Sequence, residues 1–316
     1  MSAELVTLGE TMGLLAADEI GPLRSGHRMV LGVAGAESNV AIGVRRLGHD
    51  TAWIGRVGAD PVGRLVLREL RAEGVDVSHA ITDPAAPNGF MLKVRRTTAT
   101  SEVIYARRGS AGSRLCADDV PADLVAAAKV VHVTGITLAL SPSARGAVSR
   151  AVDIAGSNGV PVCLDVNHRS ALWDDAEAGP VLRDLIGRCD LVFASENEAA
   201  LVVGPREPAD AACALARLGP RHAVVKRGEL GYVACVDGEL FDDAAVTVPV
   251  ADPVGAGDAF VAGYLASWLD GASPAESLRA ANLAGAFVVA VPGDWEGSPT
   301  RAELAAFANR TDAVTR

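Results

Sequence analysis

The sequence predicts an α/β fold, a three-layer sandwich with a mostly parallel central sheet and helices on both faces. Short apolar runs alternate with helical patterns along most of the 316 residues. Such uniformly apolar runs are typical of parallel strands that are buried on both faces. Aromatic residues make up only 4% of the chain, so we expect a core of Ala, Val and Leu. A single large α/β domain can have this length, and we predict one domain over residues 1–316.

Strands and helices alternate in the first half of the chain. Gly48 and Gly74 each follow a periodic segment directly, which is a signal for the end of a helix. Ser141 followed by Pro142 is a signal for the start of another helix, with the proline in its first position. The predicted elements are strand Leu5–Leu8, helix Glu37–Leu47, strand Ala52–Val57, helix Gly63–Glu73, strand Val130–Thr134 and the helix from Ser141.

The second half continues the alternation, and a Gly-rich turn follows its last predicted strand. Each of the first three strands has a helical pattern near it in the sequence. We predict strands at Val162–Val166, Leu191–Ala194, Ala223–Lys226 and Thr247–Val250, and long helices at Ala259–Leu269 and Pro274–Val291.

Two segments interrupt this alternation and predict a small β lid. Residues 12–32 and 89–107 lack helical periodicity. Phe90–Arg96 and Glu102–Arg107 are typical of two antiparallel strands, joined by a polar turn at residues 97–101. An antiparallel hairpin inserted into a parallel core is a candidate for a segment that closes over a ligand.

Charge and cysteine content exclude several classes of protein. The net charge is −10, from 29 basic and 39 acidic residues, which argues against nucleic acid as a partner. The sequence has no stretch of about 18 uncharged apolar residues that would predict a membrane span. The five cysteines are scattered and form no C-x-x-C pair, so disulfides and a zinc site are not expected. We therefore expect a cytoplasmic protein without a membrane partner.

A Gly-rich turn before the helix at Ala259 carries the strongest chemical signal. In the run Asp252–Phe260, the backbone at Gly255, Ala256 and Gly257 can turn tightly and direct several N–H groups to one point at a helix start. Such a point binds a phosphoryl group. Asp258 has two interpretations: it caps the helix, or it accepts the proton of an alcohol that attacks the phosphoryl group.

Other phosphate and nucleophile motifs are absent from the sequence. No run matches the Walker A pattern, and position 260 is Phe260 where a dinucleotide fingerprint would need a third glycine. The H-R-D catalytic loop of protein kinases and the G-x-S-x-G motif of serine hydrolases are also missing. A second cluster of small residues opens the first helix, where Gly35 allows close approach of a ligand and Asn39 can bind a polyol; plain packing glycines are the alternative.

Together these segments resemble the ribokinase-like sugar kinases, the phosphofructokinase-B family. The resemblance runs from Leu5 to about Phe307 and rests on the segments AGAESNVA (34–41), LG (47–48), IGRVGAD (54–60) and DPVGAGDAF (252–260). It implies a ribokinase-like fold and an ATP-dependent transfer to a sugar hydroxyl. Asp258 would then be the base, and Gly255, Ala256 and Gly257 the anion hole. By the same resemblance, a dimer through the β lid is expected.

The middle of the chain is most similar to family members that phosphorylate 2-dehydro-3-deoxygluconate. The segments concerned are YARRGSA (105–111), HVTGI (132–136) and DVNHRSALW (165–173). The resemblance implies that the substrate site contains Gly35, Asn39, Tyr105, Arg107 and Arg169. The family pattern often has a second aromatic residue where this chain has Ala106.

Charge gives a separate argument for an acidic sugar. Residues 88–114 have a local net charge of +5 on an acidic chain. An arginine can bind a carboxylate through two parallel hydrogen bonds, which a neutral sugar does not require. We assign this role to Arg107 and Arg169. For Arg95, Arg96 and Arg114 we prefer a solvated surface of the lid.

The resemblance also implies a nucleotide side of the site. Glu198 matches a glutamate that acts on Mg²⁺ through water, and Ser195 stands where the family usually has asparagine. The segment KRGELG (226–231) matches a turn near the nucleotide phosphates, with a plain turn between strands as an equal alternative. The expected nucleotide-binding residues are Lys226, Gly228, Gly231 and Asn282. Asn282 could instead face water. A monovalent cation near Asp252 is a further possible cofactor.

Two alternatives stay open from the sequence. One is a fructokinase or ribokinase-type enzyme for a neutral sugar. The other is a regulator that binds a sugar without catalysis, against which the intact Asp258 and its glycines argue.

Overall fold

A computed structural model describes residues 3–97 and 100–309. The predicted turn at 97–101 therefore lies partly outside the described residues. The strands are β1 (Leu5–Leu8), β2 (Met12–Ala17), β3 (Met29–Ala34), β4 (Thr51–Ile54), β5 (Arg56–Gly58), β6 (Ile81–Asp83), β7 (Phe90–Arg95), β8 (Ser101–Ala106), β9 (Val130–Thr134), β10 (Val162–Asp165), β11 (Leu191–Ser195), β12 (His222–Lys226), β13 (Tyr232–Val236) and β14 (Glu239–Asp243).

The helices follow the predicted alternation, and three of the short ones had not been predicted. Ser141 caps α5 through its side chain, with Pro142 in the first position, as expected from the sequence. The helices are α1 (Ala36–Arg46), α2 (Pro61–Ala72), α3 (Ala122–Ala126), α4 (Gly135–Leu140), α5 (Pro142–Ser157), α6 (Asp175–Ile186), α7 (Glu196–Val203), α8 (Pro208–Ala216), α9 (Ala256–Leu269), α10 (Pro274–Val289) and α11 (Arg301–Ala308).

The large sheet has the strand order β14-β13-β12-β11-β10-β9-β1-β4. All neighbours from β12 to β4 are parallel, and β13 and β14 are antiparallel additions at one edge. This confirms the mostly parallel sheet. Because parallel strands end at the same edge, Thr134, Asp165, Ser195 and Lys226 come together at the carboxyl ends of β9 to β12. This is the edge where α/β proteins bind ligands.

Helices cover both faces of the large sheet, as predicted. On one face, Ala147, Val148 and Leu182 belong to a core cluster with the strands. On the other, residues of α1, α9 and α10, including Tyr264 and Leu278, form a second cluster. Many contacts involve alanine, whose small side chain lets helices and strands approach closely.

The small sheet has the order β3-β2-β7-β8 and contains the predicted antiparallel hairpin, β7–β8. Met12, Leu14, Ala34 and Met91 form a buried cluster on one of its faces. Both predicted interruptions of the helical rhythm therefore belong to one sheet.

The predicted strand at Thr247–Val250 is wrong. Residues 244–250 contain no strand or helix. The side chain of Asn282 donates to the carbonyl of Ala244 at 2.8 Å and accepts from the N–H of Val246 at 3.4 Å. The segment is thus held by a helix side chain instead of a neighbouring strand, and Val250 is exposed.

The edge hairpin β13–β14 was also not predicted, although its turn carries a signal. Asp237 and Gly238 both have positive φ, 50° and 88°, and Asp-Gly is a preferred pair for a two-residue hairpin turn.

Within the described part of the chain, no helix is long and apolar enough to cross a lipid bilayer. The five cysteines are free thiols. The cytoplasmic location stays a prediction.

Candidate active site

A cavity of about 500 Å³ lies between the carboxyl edge of the large sheet and the small sheet. This is an ordinary volume for a small-molecule site. It brings together most of the predicted site residues, which lie between positions 35 and 258 of the chain. Those that line it are Gly35, Asn39, Tyr105, Arg107, Arg169, Glu198, Lys226, Gly228, Gly255, Gly257 and Asp258. Ala256, Gly231 and Asn282 do not line it.

Asp258 is the third residue of α9, which begins three residues before the predicted start. Its Oδ2 accepts a hydrogen bond from Nδ2 of Asn39 at 2.8 Å. Burial raises the pKa of Asp258 to about 7, although Asn39, Lys226 and Arg169 act to lower it. A carboxylate with a pKa near 7 is well suited to accept a proton from an alcohol at physiological pH.

Gly255 shapes the turn in front of α9. It has φ +80°, and a Cβ atom there would lie 1.8 Å from the carbonyl oxygen of Asp294. Only glycine fits both restrictions. The backbone therefore delivers the first N–H groups of α9 to the cavity, where the helix N-terminus favours an anion.

Lys226 lies beside this turn and is already paired. Its ammonium binds both carboxylate oxygens of Asp165, at 2.9 and 2.7 Å. Burial acts to lower the pKa of Lys226, but Asp165, Glu198 and Asp258 outweigh it and the net shift is upward. Lys226 stays positively charged next to the anion hole. Asp165 was not predicted as a site residue, although a carboxylate at the carboxyl end of a buried strand is a signal for one.

Three basic side chains of residues 88–114 are paired with acids, which corrects the charge-based prediction for the lid. Arg107 pairs with the buried Glu10, with Nη2 2.6 Å from Oε2. Lys93 is paired with Asp252 and Asp294, and Arg114 with Asp83. The guanidinium of Arg95 donates to the carbonyl of Ala251, so this side chain is not simply solvated. Counting charges within residues 88–114 missed these acids, which come from elsewhere in the chain.

Arg169 is different from the other cations of the cavity. It follows β10, its side chain is exposed, and among the described residues it has no carboxylate partner. Its positive charge acts to lower the pKa of Asp258, which places the two groups in one electrostatic environment. Arg169 is thus available to bind an anionic part of a ligand.

Gly35, between β3 and α1, and Tyr105, on β8, border the same cavity. A Cβ atom on Gly35 would lie 2.4 Å from the carbonyl oxygen of Glu10, so glycine is required for this close packing. Tyr105 is 43% exposed, and the guanidinium carbon of Arg107 lies 5.6 Å from its ring centroid. Ala106 is exposed at the end of β8.

Glu198 has a structural role at the start of α7. Its Oε2 accepts from the N–H of Ser195 at 2.7 Å, and its Oε1 accepts from the N–H of His168 at 2.8 Å. Ser195 caps the helix in return, so the two residues form a capping box. The serine that departs from the family pattern is therefore a good helix cap, and Glu198 still lines the cavity.

Comparison with known proteins gives the family. The profile of the pfkB family carbohydrate kinases matches residues 2–301. The chain belongs to this family. It is therefore a carbohydrate kinase with a ribokinase-like fold, as the sequence motifs predicted. A solved structure described as a putative ribokinase II from E. coli, in complex with ATP and Mg²⁺, has a TM-score of 0.89 at 26% identity and covers 97% of this chain and 99% of its own.

Two relatives of this pfkB family chain are named for their substrate. The 2-dehydro-3-deoxygluconokinase of Thermoproteus tenax is 40% identical over 304 residues, which are 95% of this chain and 92% of the relative. The enzyme of the same name from Bacillus subtilis is 36% identical over 310 residues, 97% and 96% of the two chains.

We expect the protein to lose stability when the Arg107–Glu10 ion pair is broken by mutation of Arg107. Arg107→Ala should lower the free energy of unfolding by about 3–5 kcal/mol, because it leaves a buried carboxylate without its cation. Urea denaturation measures this. Arg169→Ala is the control and should change stability by less than about 0.5 kcal/mol, since its side chain is exposed. Equal stability of Arg107→Ala and the wild type would show that the pair is not structural.

Proposed function

We propose that this kinase transfers the γ-phosphoryl group of ATP to the primary hydroxyl of 2-dehydro-3-deoxy-D-gluconate, giving the 6-phosphate and ADP. The observation that carries the proposal is that one cavity contains both a base with raised pKa, Asp258, and an arginine, Arg169, that pairs with no carboxylate among the described residues. Asp258 can accept a proton from an alcohol and Arg169 can bind a carboxylate, and this sugar has both groups. The names of the two relatives agree with this choice.

The proposed reaction follows from the site residues. Arg169 binds the sugar carboxylate through paired hydrogen bonds. Asp258 takes the proton of the primary hydroxyl as its oxygen attacks the γ-phosphorus, and the bond from this phosphorus to the β–γ bridging oxygen breaks. The N–H groups at Gly255 to Gly257 and the ammonium of Lys226 stabilise the negative charge that develops. Gly35, Asn39, Tyr105 and Arg107 shape the sugar side.

The residues on the nucleotide side fit a magnesium ion that is bound through water. Among the described residues, no group of three or more His, Cys, Asp or Glu side chains could hold a metal directly. Mg²⁺ keeps several waters and often uses one carboxylate together with substrate phosphates. Glu198 would be that carboxylate, because each of its oxygens retains a lone pair beyond its backbone hydrogen bond. The ion would neutralise phosphate charge. Roles in nucleotide binding for Lys226, Gly228, Gly231 and Asn282 stay predictions.

We also propose that the small sheet is the lid of a single-domain enzyme. Met12, Met91 and Tyr105 line the cavity from this sheet, so its closure would exclude water from the phosphoryl group. Hydrogen exchange of β7 and β8 should slow when the sugar and a non-hydrolysable ATP analogue bind together. Unchanged exchange would contradict a closing lid.

The opposite face of the small sheet supports a dimer. Leu31, Leu15, Leu92 and Ile104 lie in one row across its four strands. Leu31 and Ile104 are more than half exposed, at 56% and 53%. We propose that a second copy of the chain covers this row. The wild type should sediment as a dimer and the double variant Leu31→Glu, Ile104→Glu as a monomer; a monomeric wild type would refute the proposal.

Product analysis tests the proposed reaction. The purified protein is incubated with ATP, Mg²⁺ and 2-dehydro-3-deoxygluconate, and the product is identified by phosphorus–proton NMR correlation. We expect phosphate on the oxygen of C6 and one ADP for each sugar consumed. Turnover of fructose or ribose alone would favour the neutral-sugar alternative, and no turnover of any sugar would favour a binding protein.

A further inference from the structure

Lys93 is a buried cation that the proposed reaction does not use. It lies on β7 of the small sheet and is only 3% exposed. Its ammonium is 2.7 Å from Oδ2 of Asp252 and 3.2 Å from Oδ1 of Asp294. Both aspartates are also buried, at 4% and 5% exposure. A charge is kept at such a place only when partners compensate it. The ammonium of Lys93 bonds to both aspartates and compensates one carboxylate charge, and burial raises the pKa of Asp294, which favours its neutral form.

The two aspartates contact the backbone of the anion hole on both sides. Asp252 lies just before the turn, and its Oδ1 accepts from the N–H of Val254 at 3.2 Å. Asp294 packs its backbone carbonyl directly against Gly255, where a Cβ atom would otherwise lie. A cation between their carboxylates therefore fixes the position of the backbone that receives the phosphoryl group.

The family resemblance suggests a monovalent cation near Asp252, and the residues do not fit a free one. The ammonium of Lys93 already bonds to the Asp252 carboxylate. An ammonium is a compact point charge with the same charge as K⁺. Arg95, two residues along β7, adds a hydrogen bond to the carbonyl of Ala251 at 3.0 Å. The small sheet thus supplies the positive charge that a dissolved ion would otherwise bring.

We propose that the Lys93 ammonium replaces a bound monovalent cation and positions the anion hole, so that this kinase needs no added potassium. Lys93 is a positioning residue: it acts through Asp252 and Asp294 and does not touch the reacting atoms. It also ties the anion hole to the small sheet. The proposal rests on the carbohydrate kinase activity and is independent of which sugar is used.

The wild type gives the first test. We compare kcat and the melting temperature in KCl and in tetramethylammonium chloride at equal ionic strength, because tetramethylammonium is too large for the site. We expect both quantities to be the same in the two salts. A large rise of kcat or of melting temperature specific to K⁺ would overturn the proposal. The melting temperature needs no substrate, so it separates this test from a wrong choice of sugar, which would abolish turnover in every salt.

Removal of the ammonium gives the second test. Lys93→Ala should lower kcat by about 100-fold in tetramethylammonium chloride, the cost of displacing reacting groups by about 1 Å. K⁺ or NH₄⁺ should restore part of kcat and raise the melting temperature of this variant. Lys93→Met keeps most of the side chain, so it preserves packing if the alanine variant does not fold. Lys129→Ala, which removes an exposed lysine paired with Glu4, is the matched control and should behave as the wild type. A loss of kcat in the Lys93 variant that neither K⁺ nor NH₄⁺ restores, or an unchanged kcat, would overturn the proposal.

Discussion

Asp258→Asn should lower kcat by about 10²- to 10⁴-fold, the range that general base catalysis supplies. The amide cannot accept the proton of the sugar hydroxyl. It has the same shape, and its oxygen can still accept the hydrogen bond from Asn39, which is 2.8 Å away in the wild type. The variant should therefore fold normally and bind ATP. Coupled detection of ADP at saturating substrates measures kcat.

A matched control separates this effect from a general response to losing a carboxylate. Asp153→Asn removes an exposed aspartate that pairs with Arg188, and it should leave kcat unchanged. If Asp258→Asn turned over at a rate near that of the wild type, Asp258 would be a helix cap and not the base.

The pH profile follows from the same residue. Burial raises the pKa of Asp258 to about 7, and only the ionised form can accept a proton. Log kcat/KM should therefore rise with pH up to about 7 and level off above it. This inflection should disappear in the residual activity of Asp258→Asn, which also controls for ionisation of the substrates. A profile of log kcat/KM that is flat between pH 5 and 8, as expected if Asp258 had the ordinary pKa of an aspartate, would contradict its role as the base.

Arg169→Ala should raise KM for 2-dehydro-3-deoxygluconate by about 10- to 100-fold. Hydrogen bonds to a charged group contribute about 1.5–3 kcal/mol each, and the carboxylate would lose its partner. Its kcat should change less than its KM, because Arg169 binds the end of the sugar that does not react. Arg169→Lys should be intermediate, since lysine keeps the charge but lacks the planar fork.

The controls for Arg169 use a neutral sugar and a second arginine. KM for fructose, where turnover is measurable, should not change in Arg169→Ala. Arg108→Ala removes another exposed arginine that does not line the cavity, and it should not affect either sugar. An equal loss with acidic and neutral sugars would show that Arg169 has a structural role.

The sequence was sufficient to predict the parts of the fold that depend on local patterns. Strand Val130–Thr134 and the Ser141 cap were predicted to the residue, because apolar runs and capping signals are local. The predicted strand Thr247–Val250 was wrong because its apolar pattern does not lead to strand pairing, and the residues just before it, Ala244 and Val246, bond to Asn282 on a distant helix. Such a long-range hydrogen bond has no signature in the neighbouring residues.

The active site shows the same difference between local patterns, which the sequence predicts, and long-range contacts, which it does not. Asn39 and Asp258 belong to two motifs that the sequence assigned to one site, and they form a hydrogen bond across 219 positions of the chain, which had not been predicted. The ion pairs were not predicted, since the partner of Arg107 is Glu10 and the partner of Lys226 is Asp165. A charge count within one segment cannot find partners from another strand. The carboxylates did have a signal, because Asp165 is the last residue of β10 and Glu10 lies two residues after β1.

The most direct test of the central claim is the ratio of kcat/KM for 2-dehydro-3-deoxygluconate to that for fructose, measured with ATP and Mg²⁺. If Arg169 binds a carboxylate while Asp258 activates the far hydroxyl, the acid should be favoured by about 100-fold, the factor that roughly 3 kcal/mol of charged hydrogen bonding supplies. A ratio near one, or a preference for fructose, would contradict the account of this site.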